Sequence, residues 1–146
     1  MVKHQELQIR SKFEYNSNPI SNLKLRIQES MKSLASITDK DIETIKMALN
    51  DSISDMNTEL KQDLSPEKKN SLVNYKAKYS RVFEKLKQSG SIYALIETEL
   101  DIVAGGLNDA MELVEENLTD DLSDEESEEI LAYKNDCQKL VDLLAL

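Results

Sequence analysis

Apolar side chains return every three or four positions along almost the whole chain, the spacing of one face of an α-helix. Val2, Ile9 and Phe13 make a weak first stripe. Ile20, Leu23, Ile27, Met31 and Leu34 make a second, and Ile42, Ile45, Leu49, Ile53, Met56 and Leu60 a third. The fourth runs through Leu72, Tyr75, Tyr79, Val82, Phe83 and Leu86, and the fifth from Ile92 and Ile96 through Leu107 to Leu118. The last holds Ile130, Tyr133, Cys137, Leu140, Val141 and Leu144. No stretch alternates with period two for long enough to make a strand.

Capping residues fall between the stripes. Asn18-Pro19 and Ser65-Pro66 each offer an N-cap followed by proline at the first helical position. Thr38 with Asp41, and Ser123 with Glu126, read as capping boxes. Ser89-Gly90-Ser91 reads as a C-terminal glycine followed by a new serine cap. Short connections make successive helices antiparallel. The prediction is an all-α fold: an elongated antiparallel bundle of about five to six helices, the longer ones about 22 to 29 residues. It is one domain spanning 1–146. Residues 1–16 form a weakly anchored helix, 20–64 and 66–88 a hairpin region, and 91–146 an acidic helical region. Gly105-Gly106 interrupts the fifth stripe, at roughly 2 kcal/mol relative to alanine. The apolar phase passes through unbroken, so the reading is a continuous or kinked helix in which the glycines admit close approach of another backbone.

Composition narrows the function class. Three glycines and two prolines are too few for an all-β chain, and 40% hydrophobic residues are too many for a disordered one. With no apolar run of about 18 residues and no apolar leader, no membrane span or secretion is expected, and the cytoplasm is the expected compartment. The single cysteine, Cys137, lies on the last apolar stripe and reads as a small core residue. The narrow stripes leave room for a homodimer that completes the core.

Charge is the informative feature. The net charge is −10, yet residues 65–90 are basic, and no lysine or arginine occurs between Lys87 and Lys134. On a helical wheel Glu97, Asp101, Asp109, Glu112, Glu115 and Glu116 gather opposite the apolar stripe, and Asp120 and Asp121 follow them. Surface helices ordinarily mix signs, because like charges at i,i+4 repel. The plainer alternative is a solvated face, partly neutralised by the basic helix and partly explained by acids at the start of the last helix.

Candidate chemistry is sparse. His4 is the only histidine and lies in the first segment, away from any nucleophile pattern. Neither a phosphate-cradling glycine loop nor a paired-cysteine metal motif occurs. Glu112-x-x-Glu115 and Asp121-x-x-Asp124 loosely resemble the carboxylate spacing of all-α nucleotide pyrophosphohydrolases, which bind Mg²⁺. The second pair departs from it by starting with Asp and by spanning a predicted turn. The basic helix, with Lys68, Lys69, Lys76, Lys78, Arg81, Lys85 and Lys87 around Tyr75 and Tyr79, has both tyrosines on its apolar stripe, which argues against direct nucleic-acid binding.

The expected function is a non-enzymatic protein-binding helical module, such as an inhibitor, antagonist, immunity protein or chaperone. It presents Glu97, Asp101, Asp109, Glu112, Glu115, Glu116, Asp120 and Asp121 to a basic partner, which could itself be a nucleic-acid-binding protein. No cofactor or metal is expected. The alternatives are a Mg²⁺-dependent nucleotide hydrolase and a structural coiled-coil subunit of a larger assembly.

Overall fold

The computed structural model describes residues 33–145, and the expectations for Asn18-Pro19, His4 and the stripes through residues 2–31 lie outside them. Within that range the protein is an all-α bundle. Helix α1 spans Asp39–Leu60, α2 Pro66–Ser89, α3 Glu97–Asn117 and α4 Asp124–Leu144, with a 3₁₀ turn at Ile92–Ala94. Each α-helix has 21 to 24 residues, shorter than the longest expected.

Three of the four starts follow the capping chemistry of the sequence. The Asp41 amide donates to Thr38 Oγ1 at 3.1 Å, and the Thr38 amide donates to Asp41 Oδ2 at 2.9 Å, a complete box. Ser65 Oγ accepts from the Lys68 amide at 3.3 Å, with Pro66 at the first helical position. Gly90 closes α2 in the left-handed region at φ 66°, where a side chain would be strained. Ser123 caps α4 by accepting from the Glu126 amide at 3.1 Å. The Glu126 carboxylate takes the Ser123 hydroxyl at 2.9 Å, so this is a cap and not the full box expected.

The fifth stripe begins differently from the expectation. Ser91 caps only the 3₁₀ turn, accepting from the Tyr93 amide at 3.2 Å. Helix α3 starts at Glu97, and its N-cap is Ile96, whose amide donates to the Glu99 carboxylate at 3.0 Å. A backward-reaching carboxylate here replaces the serine cap.

Side-chain pairings fix the helix directions. Along α2 from Lys85 to Tyr79, the partners on α3 run from Glu99 to Asp109, so these helices are antiparallel. Leu49 of α1 packs at Gly106 of α3, and Tyr133 of α4 reaches Asp51 of α1. Helices α1 and α3 form the central pair, with α2 and α4 packed on opposite flanks of it. Ile45, Leu49, Val82, Leu86, Val103, Leu107, Cys137 and Leu140 are sealed in the core they share. Helix α3 passes unbroken through the glycine pair, and at Gly106 both the side chain and the backbone of Leu49 come close, its Cα 3.9 Å from where a β-carbon would stand. A β-carbon at Gly106 would meet Leu49 Cδ2 at 2.7 Å, and one at Gly105 would meet the Tyr79 hydroxyl at 3.0 Å. Tyr75 corrects the expectation for α2: it shares the phase of Tyr79, yet it is 53% exposed where Tyr79 is buried.

Candidate acidic surface

The C-terminal halves of α1 and α3 and the N-terminal halves of α2 and α4 meet at one end of the bundle, called here the open end. Neither residues 66–78 of α2 nor residues 124–136 of α4 include a buried side chain. The open end carries sixteen carboxylates, from residues 51–63, Glu67 and residues 109–129, against six cations. The other end, called closed, carries nine carboxylates and six cations on the described residues. Acidity is therefore concentrated at one end, a feature that a wheel of one helix does not reveal.

The eight expected surface acids separate into distinct environments. Glu97, Asp101, Glu112 and Glu116 are exposed on the outer face of α3, and Asp120 and Asp121 are exposed in the connection to α4. Glu115 is exposed but held by Lys134, whose ammonium lies 2.6 Å from Glu115 Oε1. Asp109 departs from the wheel: it is half-buried and accepts from the Tyr79 hydroxyl at 3.0 Å. Eleven positions separate Asp101 from Glu112, about 16 Å along the axis, so the exposed acids form two groups and not a continuous ridge. Leu95, at the end of the 3₁₀ turn, is in the core, and Ile102 and Leu113 on α3 are partly covered.

Burial shapes the protonation of the inward carboxylates. Desolvation raises the Asp109 pKa, the Tyr79 hydrogen bond opposes that rise, and the Glu112 and Asp55 charges add to it. Ser52 Oγ is buried within reach of the same carboxylate but makes no hydrogen bond of normal geometry. On the other flank, burial likewise raises the pKa of Asp51, opposed by the Tyr133 hydroxyl, which donates to it at 3.4 Å. Burial pushes the Cys137 thiol up to about 11, consistent with an inert core residue.

An open groove of about 350 Å³ lies between α1, α3 and α4 at this end, with Asp51, Asp55 and Asn117 on its walls and Ala110 and Val114 among its lining. Asp121 stands in the connection and Asp124 is the first residue of α4, so that carboxylate pair does not sit on one helix as Glu112 and Glu115 do. Among the described residues, no group of three His, Cys, Asp or Glu side chains is placed to hold a metal ion. No helix among them is long and apolar enough to cross a membrane.

One acid was missed by the wheel reading of function. Glu99 is 6% exposed, with Lys85 Nζ at 2.8 Å from one carboxylate oxygen and 2.9 Å from the other. The Lys85 hydrogen bond and then the Ile96 amide hold its pKa below the usual carboxylate range. Its position four residues before Val103, on the apolar side of α3, was the available signal.

Comparisons of the chain with protein families, curated proteins and solved structures return no match.

Proposed function

We propose that this protein is a non-enzymatic binding module whose open end presents carboxylates to a basic surface on a protein partner. The observation that carries this reading is segregation: sixteen carboxylates against six cations at one end, with no lysine or arginine anywhere on α3. Repulsion among them opposes folding, and a complementary partner would turn the same field into faster and more selective association. The roughly 16 Å between the two exposed groups on α3 suits discrete basic side chains. It suits imitation of a nucleic acid less well, since a duplex carries about one charge per 1.7 Å. The hydrolase reading draws less support from this arrangement, because Glu115 is engaged by Lys134 and Asp121 lies off the helices.

The test is affinity capture from the source cells with the wild-type chain and with Glu112→Lys/Glu116→Lys as baits. Glu115 is left intact so that its pair with Lys134 survives. A specific protein should be retained by the wild type, lost from the reversed bait, and released as salt shortens the screening length below about 8 Å. Equal capture by both baits, insensitive to salt, would refute an acidic docking surface.

A further inference from the structure

A second groove, of about 490 Å³, runs between α2 and α3 on the flank away from α4. Tyr75 and Ile96, 53% and 63% exposed, line it together with Lys78 and Arg81. Lys78 Nζ lies 5.8 Å from the centre of the Tyr75 ring, and Lys85 is committed to Glu99. Lys78 and Arg81 form no ion pair among the described residues. Val82, Ile102 and the missing side chain of Gly105 contribute to its lining, and Asp101 stands on the α3 side. The surface is apolar, elongated and edged by cations, which suits an acidic amphipathic helix.

The chain itself displays such a helix. Asp124, Glu128 and Leu131 occupy one exposed face of α4 at i, i+4 and i+7, and Leu131 is 44% exposed. The rise of a helix puts Glu128 about 4.5 Å and Asp124 about 10 Å from Leu131 along the axis. Along α2, Lys78 is about 4.5 Å and Arg81 about 9 Å from Tyr75. Apolar group, first charge and second charge therefore match in order and spacing, with opposite sign.

We propose that the α2–α3 groove receives α4 of a second copy, laid antiparallel to α2. Leu131 then covers Tyr75, while Glu128 and Asp124 meet Lys78 and Arg81. Groove and ligand helix lie on opposite flanks of one molecule, so each added copy leaves its own groove free. The contact is heterologous, and it builds open chains or rings in place of a two-fold dimer. It shares Asp124 and Glu128 with the open end but uses none of the acids on the outer face of α3, so reversal of Glu112 and Glu116 should leave it unchanged.

Sedimentation of the full chain from about 1 μM to about 1 mM, the range of weak contacts, tests it. Average mass should climb past the dimer with concentration and fall back with added salt. Lys78→Glu/Arg81→Glu and Asp124→Lys/Glu128→Lys should each stay at monomer mass alone, both helical by circular dichroism. An equimolar mixture should recover the mass growth, since each reversed surface then finds its opposite. Leu131→Gln, which alters no charge, should weaken growth as well. A wild type that remains monomeric at about 1 mM, one that stops at a closed two-fold dimer, or a mixture that stays monomeric overturns the proposal.

Discussion

The two ends of the bundle use carboxylates in opposite ways. At the closed end Glu99 is covered, paired with Lys85 and bonded to the Ile96 amide, so its charge starts a helix and ties α3 to α2. At the open end Asp109 and Asp51 are half-buried with a tyrosine hydroxyl as chief partner, and the acids outside them stand in solvent. Their pKa shifts have opposite signs: Glu99 is lowered, Asp51 and Asp109 are raised. A carboxylate thus stabilises this fold at one end and opposes it at the other. Acidic composition alone cannot distinguish those roles.

The sharpest way to break the contrast is Glu99→Gln. The amide keeps the shape, leaves Lys85 without its anion, and weakens the bond that starts α3. Removing one partner of a deeply buried pair costs about 3–5 kcal/mol. Glu99 is covered, but the Lys85 side chain is 42% exposed. Solvent therefore moderates the loss to about 2 kcal/mol. Urea unfolding should show a lower midpoint with an unchanged slope. A variant as stable as the wild type would mean that Glu99 is not structural.

How far the sequence reveals this contrast depends on the link involved. Thr38 with Asp41, Ser65-Pro66, Gly90 and Ser123 mark helix ends by local chemistry, and the structure places ends there. Ile92 misleads because it and Leu95 are both buried and lie in phase with α3. A three-residue 3₁₀ turn puts them in the core without any helical continuity. Tyr75 misleads for the converse reason: periodicity records a face, and none of the described helices covers that face near the start of α2. The acidic end itself joins halves of four helices that are remote in sequence. Only the directions of packing bring residues 51–63 beside residues 109–129.

Acidification should separate the ends next. Asp51 and Asp109, with raised folded values, bind protons more readily folded than unfolded, so their contribution grows as pH falls from neutral through those values. Glu99, with a lowered value, contributes fully above its ordinary 4.5 and loses that contribution as pH falls through its folded value. Thermal stability should therefore rise as the pH falls from neutral through the raised values of Asp51 and Asp109, and decline only below about 4.5, where Glu99 begins to lose its contribution. In the double variant Asp51→Asn/Asp109→Asn the amide oxygens can still accept from Tyr133 and Tyr79. Its melting temperature at neutral pH should be equal or higher, and the rise on acidification should flatten. An undiminished rise would place its origin in the exposed acids.

The smallest effect is the one that ties stability to the proposed function. Glu112 and Glu116 are exposed and make no ion pair among the described residues, while Glu115, one position away, is bonded to Lys134. Lysine and glutamate have similar helix propensity, so Glu112→Lys/Glu116→Lys should leave α3 intact. Positions 112 and 116 still carry like charges after reversal, but the pairs of position 112 with Asp109 and Glu115 turn from repulsive to attractive, each a matter of about 0.2–0.5 kcal/mol on exposed helix positions. Reversal also removes the Glu112 charge that raises the Asp109 pKa, so the double variant should gain slightly in stability. Glu115→Lys should do the reverse, because it sets a cation against Lys134 and forfeits a surface pair worth about 0–1 kcal/mol. Denaturant midpoints measured side by side resolve differences of this size when the slopes agree. If all three reversals destabilise alike, the open end is an internally balanced surface, and its acids have a structural reason to be there. If Glu112 and Glu116 alone can be reversed with a gain, stability does not account for those two carboxylates, and binding is left as their role.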